Sequence, residues 1–312
     1  MTSTHYRSRI LMGGAVALSV LLAAFVIMGA VLPEPVPVVR PIYSLHQDST
    51  PLMRAASIAR THGVDSAFLE RLVAAPATMF QPRVLKLNVT NFAQKPDYSF
   101  NHNKMGVRKV REFVSANEAV LSEAEKRFDV PAAVIASILW VETKFGTVMG
   151  TTHVPSVYIS LMLATDSAIV EQHVQSVMSD LEIDSTKIDS VRGFVQAKAT
   201  KKTRWAAEQL KALDSIQRDG TMNIMTLRGS WAGAFGLSQF LPSSYRQWAV
   251  DGNNDKEINL DHLSDAIHSV ANYLATNGWG PTIRQRRAAV HHYNNSQAYV
   301  DAVFTLAGKA TN

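Results

Sequence analysis

The chain has 312 residues, of which 46% are hydrophobic, with a formal net charge of +5 and no cysteine. This length and apolar content support at least one sizeable core, with room for a small second lobe, and argue against disorder. The lack of cysteine excludes disulfides, thiolate metal sites, a thiol nucleophile and a lipid-modified N-terminal cysteine. The positive charge is spread along the chain and forms no long basic run, so no nucleic-acid partner is expected.

In chain order, a short basic segment, residues 1–9 with His5, Arg7 and Arg9, precedes an uncharged apolar run over residues 10–32. Its 23 residues exceed a secretory apolar region of roughly 7 to 15 and suit the about 20 that cross a bilayer as a helix. Met28 stands where a small residue would be wanted before Ala30, so no convincing cleavage site follows. The run is expected to be an uncleaved anchor with its basic flank inside, or alternatively a signal sequence, and either reading exports the body. The prolines of "PEPVPVVRP" make residues 33–44 a stiff extended tether, and the folded body is expected over 45–312.

The body reads as mainly α. Helical patterns run over residues 52–59, 66–74, 104–128, 131–145, around 168–216, 266–277 and 296–310; in the third, Val107, Val110, Val114, Leu121, Ala124 and Phe128 recur at helical spacing. Strand-like alternation is scarce, with "RVLKLNVT" at 83–90 the best candidate. Two loop-rich islands, residues 228–245 and 251–265, are the places to look for function.

In "LWVETKFGTVMG" one glutamate, Glu142, sits inside an apolar helical run that Pro131 can start and Gly146 can stop. Ile135, Ile138 and Leu139 lie seven, four and three residues before it, on the same face. Lys144, two residues on, points elsewhere on such a helix and is not expected to neutralise it. A carboxyl in apolar surroundings resists ionisation and can serve as a proton donor near neutral pH; the alternative is a pairing with arginine or a cap on a neighbouring loop. Downstream, residues 229–239 interleave glycine, alanine and serine with Trp231 and Phe235. Small residues admit a ligand close to the backbone, aromatics offer flat faces, and Ser230 and Gln239 offer hydrogen bonds, a chemistry suited to sugars. Tight packing of a glycine-rich turn against a helix explains the same composition.

The segments "VETKFGTVMG", "GSWAGAFGLSQFLPSSY", "INL", "DAIHSVANYLATNGW" and "YNNSQAYVDAVFTLA" together resemble the membrane-bound lytic transglycosylase B family of bacterial cell-wall enzymes, from about Leu52 to Ala310. The resemblance implies a lysozyme-like catalytic core, about residues 104–295, with additional helical lobes, acting on peptidoglycan glycan strands at the MurNAc–GlcNAc β-1,4 link. It implies that Glu142 is the catalytic acid, that Ser230 and Gln239 line the sugar groove with Phe235, and that Tyr293 and Asn294 are the tyrosine–asparagine pair near the acid. The motifs offer no second carboxylate of the kind ordinary glycosidases use. A lytic transglycosylase needs none, because the MurNAc C6 hydroxyl closes onto C1 in place of water. No cofactor is required for that chemistry. The resemblance places the body in the periplasm of a Gram-negative bacterium, held to the inner membrane through residues 10–32 if these are uncleaved, or secreted and soluble. A lysozyme-like hydrolase and a non-catalytic wall-binding scaffold are the competing readings.

"DGNNDKEINLDHLSD" puts Asp251, Asn253 and Asp255 at the first, third and fifth positions of an EF-hand-like loop, with the Glu257 carbonyl at the seventh and Asp265 able to close the shell in place of His262 at the twelfth. A structural Ca²⁺ there would stiffen the groove wall. Lys256 stands where such a loop wants glycine, and a solvated loop capping the next helix is the alternative. Arg284, Arg286 and Arg287 precede His291 and His292; a solvated helix face and a basic surface for wall carboxylates both fit, while two adjacent histidines on one helix cannot share a metal. Residues 152–226 depart most from the family, lacking arginine where relatives carry a basic pair, with the lysine-rich "QAKATKKTRW" coming later.

Overall fold

Thr50 accepts a hydrogen bond from Met53 N and opens α1 (Pro51–Thr61), with proline in the first turn, where its missing N–H leaves no bond unmade. Asp65 caps α2 (Ser66–Ala74) in the same way. The computed structural model describes residues 50–90 and 97–311; the apolar run 10–32 and the tether 33–44 lie outside them. The stretch 83–90, which reads as a strand, is a helix, α3 (Pro82–Thr90). Its buried residues are Val84, Leu85, Asn88 and Val89, the one-and-four spacing of a helical face, whereas a half-buried strand would bury every second residue.

A 3₁₀ turn at Ser99–His102 leads into α4 (Lys104–Ala116) and α5 (Glu118–Phe128), which divide the pattern expected over 104–128. The break is Asn117, whose φ of −122° leaves the helix and whose Nδ2 donates to Phe113 O, a side-chain bond that competes with the helix ladder. Next comes α6 (Ala132–Thr143), in which every residue from Ala133 to Thr143 except Trp140 is buried. A helix that is apolar all round belongs in the middle of a protein. The chain continues through β1 (Thr152–His153), α7 (Val154–Leu161), α8 (Ser167–Asp180), α9 (Ile188–Asp219), β2 (Arg228–Gly229), α10 (Pro242–Trp248), α11 (Leu263–Thr276), α12 (Ile283–Tyr293) and α13 (Gln297–Thr311). The helical stretch around 168–216 is two helices, parted by Glu182 at φ 49° and a 3₁₀ turn at Ser185–Lys187.

Two helical groups result. One surrounds α6 with α4, α5, α11 and α13; the other gathers α1, α3, α7, α8 and α10 around the long α9 and the 3₁₀ turn Met162–Thr165. The two are tied by β1 and β2, which pair antiparallel with Thr152 opposite Gly229 and His153 opposite Arg228. Gly150, at φ +85°, makes that approach possible, because a Cβ there would stand 2.3 Å from Gly229 O. Among the described residues no single helix is long and apolar enough to cross a membrane.

Candidate active site

The catalytic candidate sits where α6 ends. Pro131 is the residue before the helix, not its first turn, and Lys144, not Gly146, terminates it, with Lys144 and Phe145 both in the left-handed region (φ 51° and 56°). Thr143 fixes that end: its Oγ1 donates to Leu237 O at 3.0 Å and accepts from Gly146 N at 3.1 Å. Glu142 is thereby held 5% exposed, facing the glycine-rich island. Its partner is a phenol and not an arginine: Tyr299, on α13, donates to Glu142 Oε1 at 2.6 Å. Tyr299 is itself packed edge-on to Tyr98 (centroids 5.4 Å apart) and parallel to Tyr293 (6.4 Å).

Burial pushes the Glu142 carboxyl up from 4.5 to about 7, against the opposing pull of the Tyr299 hydrogen bond and the Lys144 charge. The carboxyl is therefore largely protonated in mildly acidic solution and can give up its proton near neutrality, the condition of a general acid. Burial also raises the Tyr98, Tyr293 and Tyr299 phenols, with the Glu142 charge adding to it, so these rings remain hydrogen-bond donors. As its spacing suggested, Lys144 makes no ion pair with Glu142 and leaves that carboxyl raised. Its left-handed backbone turns the side chain back, and Nζ donates to Trp140 O at 3.0 Å and to the buried Asn101 Oδ1, lying over the Trp140 and Phe100 rings. Burial lowers the ammonium to about 8, and Glu142 opposes that shift.

Glu142 opens into a cavity of about 340 Å³ whose wall includes Gln239, Tyr273, His292, Tyr293 and Asn294. Glu142 is the only carboxylate on that wall among the described residues. Gln239 stands at φ 49°, and its Nε2 donates to Gly236 O (2.9 Å) and Met149 O (3.3 Å). Two carbonyl partners fix the amide orientation, which leaves Oε1 buried with no protein donor. Tyr293 donates to Ser238 O at 2.5 Å, and Asn294 Nδ2 donates to Tyr98 Oη at 3.5 Å. Of the expected binding residues, then, Gln239, Tyr293 and Asn294 meet beside Glu142, and Ser230 and Phe235 do not. Ser230 Oγ accepts from Ala234 N at 3.1 Å and closes its own turn. Phe235 is 2% exposed, packed on Tyr245, and borders a second cavity of about 440 Å³ that also touches Met149, Gly236, Glu257 and Asp261. The island's glycines meet protein: a Cβ at Gly233 would strike the Tyr158 ring, whose hydroxyl donates to Gly233 O. Tight packing is what makes this stretch glycine-rich, and Phe235 has no open face for a ligand, whereas Trp231 is half-buried.

The family model for the transglycosylase SLT domain matches residues 48–289. The chain belongs to that family. Over 167 residues it is 30% identical to the membrane-bound lytic murein transglycosylase B of Escherichia coli (strain K12), covering 54% of this chain and 37% of that protein, well under two thirds of the relative's length. The fold is similar to that of the E. coli lytic transglycosylase Slt35 in complex with bulgecin A (TM-score 0.61, 21% identity, 84% of this chain and 92% of that one). It is similar also to SltB3 from Pseudomonas aeruginosa in complex with NAG-anhNAM-pentapeptide (TM-score 0.62, 20% identity, 84% and 78%). Slt35 has in addition been solved in complex with calcium (TM-score 0.61, 21% identity, 84% and 92%). The mainly helical, lysozyme-like fold is thus the fold of this SLT domain.

Within the SLT domain the loop 251–265 coils on its own carboxylates. Asp251 accepts from the amides of Asn253, Asn254 and Lys256, and Asp255 from that of Glu257. Asp265 is 1% exposed and clasps the loop at two points, accepting from Gly252 N and Asn259 N. Lys256 adopts φ 73°, the left-handed geometry for which glycine is otherwise preferred. Among the described residues no three His, Asp or Glu side chains converge on a point that could hold a metal. Of the arginines, Arg287 bonds Asp301 on α13 and Arg286 donates to Gly280 O, so both secure α12. In the lysine-rich run, Lys202 donates to Asn88 Oδ1 and lies over Trp205, a contact between α9 and α3.

Sequence reasoning missed Tyr299, Tyr98 and the role of Lys144. For Tyr299 a signal existed: like Glu142, it is a polar tip on an apolar helical face, beside Val300 and Val303. Tyr98 lies in a loop next to a 3₁₀ turn, where no periodicity marks it.

Proposed function

We propose that the chain is an exported lytic transglycosylase that cleaves the MurNAc–GlcNAc β-1,4 bond of peptidoglycan and leaves a 1,6-anhydroMurNAc end. The observation that carries this reading is a single buried carboxyl, Glu142, held near pKa 7 and alone of its kind among the described residues on the wall of its cavity. Protonated Glu142 donates to the glycosidic oxygen as the C1–O bond breaks, and the N-acetyl group of MurNAc stabilises the charge growing at C1. The carboxylate so formed then takes the proton of that sugar's C6 hydroxyl as O6 bonds to C1. The acid is regenerated and no water is consumed. An internal nucleophile held in place has a high effective concentration, which favours closure. General acid catalysis supplies about 10²- to 10⁴-fold, so binding and charge stabilisation must supply the rest. The anhydro sugar bound by the P. aeruginosa relative supports this product.

In this reading Tyr299 orients Glu142 and stabilises its ionised form, Lys144 adds a nearby positive charge, and Gln239 Oε1 accepts from a sugar hydroxyl or amide. Tyr293 and Asn294 form the wall beside Glu142, while Ser230 and Phe235 shape the turn that presents Gln239. The transglycosylase domain is residues 45–312, and its lysozyme-like core extends past residue 295 to include Tyr299. Asp251, Asn253, Asp255 and the Glu257 carbonyl supply hard oxygen donors suited to Ca²⁺, and the left-handed Lys256 gives the loop the turn such a site requires. Asp265 holds the loop ends together, and the bound ion would stiffen the wall of the second cavity, which Glu257, Asn259 and Asp261 border. The body works in the periplasm, with residues 10–32 as its membrane anchor.

A hydrolase is the second reading, because Glu257 and Asp261 border the neighbouring cavity. The test is digestion of purified peptidoglycan by the wild type and Glu142→Gln. Solubilised muropeptides ending in anhydroMurNAc from the wild type, and none from the variant, are expected; undiminished release by the variant would overturn the assignment.

A further inference from the structure

Two histidines of the cavity wall take no part in the steps above. His291 and His292 occupy the last turn of α12, and both line the cavity into which Glu142 opens. The His292 ring is fixed from α11: Tyr273 Oη lies 2.9 Å from His292 Nδ1 and 3.0 Å from the carbonyl oxygen of the same residue. Burial holds the Tyr273 phenol protonated, so it has one proton to give. The carbonyl can only accept, and it belongs to a helix's last turn, whose carbonyls have no partner within the helix. Both contacts are satisfied together when Tyr273 donates to the carbonyl and His292 Nδ1 donates to the phenol oxygen. That leaves Nε2, on the opposite edge of the imidazole, for a ligand. Trp248 stands edge-on to the rings of Tyr273 (4.4 Å) and His292 (6.2 Å), which restrains the imidazole from turning. The titratable groups around it are Tyr273 from α11, His291 and Tyr293 from α12, and Glu142 on the same cavity wall. On the side of α12 that meets α13, Arg287 and Asp301 are bonded to each other.

We infer that His292, with His291 beside it, forms a subsite for a carboxylate carried on the 3-O substituent of MurNAc. The inference rests on the peptidoglycan reading above. With Nδ1 committed as a donor, an imidazole that is also protonated at Nε2 gives a charge-assisted hydrogen bond to an anion, and among the described residues the cavity wall offers no carboxylate other than Glu142 to compete for it. The carboxylate has two sources: the lactyl acid of a peptide-free strand, or an acid group of the peptide stem where the lactyl group is amidated. A chito-oligosaccharide has the same sugar backbone and neither acid, so the subsite distinguishes wall glycan from chitin-like glycan.

The test is calorimetric binding to the full chain carrying Glu142→Gln, so that ligands are not consumed, with and without His292→Phe or His292→Arg. Three oligosaccharides of equal length serve as probes: peptide-free GlcNAc–MurNAc, the same with stems, and chito-oligosaccharide. Loss of one charge-assisted hydrogen bond should weaken the acid-bearing ligands about tenfold or more in His292→Phe and leave the chito-oligosaccharide unchanged. His292→Arg should restore the difference. A loss confined to the peptide-free ligand assigns the lactyl acid, and one confined to the stem-bearing ligand assigns the stem. Equal weakening of all three, or no weakening of any, overturns the inference while leaving the groove intact. Failure of the chain with His292 intact to bind any of the three overturns the peptidoglycan reading itself.

Discussion

Replacing Glu142 with glutamine should stabilise the folded chain, and increasingly so as the pH rises. In the unfolded chain this carboxyl ionises near 4.5, whereas burial in the fold holds it protonated to about 7. A carboxyl raised on folding contributes stability that is fully present below about 4.5 and is lost as the pH climbs through about 7. The gap between those values, at about 1.4 kcal/mol per pKa unit, comes to about 3 kcal/mol at alkaline pH. Roughly 2 to 3 kcal/mol of it develops between about pH 5 and about pH 8. Glutamine keeps the shape and an acceptor for the Tyr299 hydroxyl, so what the substitution removes is the ionisation. Urea unfolding of both proteins across that range measures the difference directly, and its pH dependence separates titration from any fixed packing change. A difference that stays flat from about pH 5 to about pH 8 would refute the claim that Glu142 is an uncompensated buried acid.

Other outcomes follow from the same geometry. Tyr299→Phe and Lys144→Met each remove a group that holds the Glu142 carboxyl down, so each should move the alkaline limb of the kcat/KM profile to higher pH; a limb that stays in place in both would contradict the roles given to them. Gln239→Gly removes the unpartnered Oε1 while suiting the left-handed backbone, and should raise KM about tenfold; an unchanged KM would contradict its role on the cavity wall. Millimolar Ca²⁺ should raise the unfolding midpoint of the wild type and not that of Asp251→Ala; equal response of the two would remove the ion from this loop.

Much of the fold was legible in the sequence because helices carry their own period. Apolar residues three and four apart located α1, α2, α6, α11 and α13 to within a few residues. The 83–90 stretch misled because its apolar residues both alternate and share a helical face; packing chose the face. Glu142 was legible for a physical reason, since an acid at the position of a core residue is costly unless it is used. Lys144 was not, because helical spacing cannot say where a side chain goes once the backbone turns left-handed. Nor could composition tell that the island's glycines meet Tyr158 and Leu260 and not a ligand, a matter of contacts between segments far apart in the chain.

In the proposed reaction one carboxyl, without activated water, carries both proton transfers. Digesting peptidoglycan in water labelled with heavy oxygen and weighing the new MurNAc ends tests it most directly. Ends lighter than the hydrolytic product by one water and free of label are expected. Labelled reducing ends would contradict that reaction, and would point to a second acid such as Asp261 beyond Gln239.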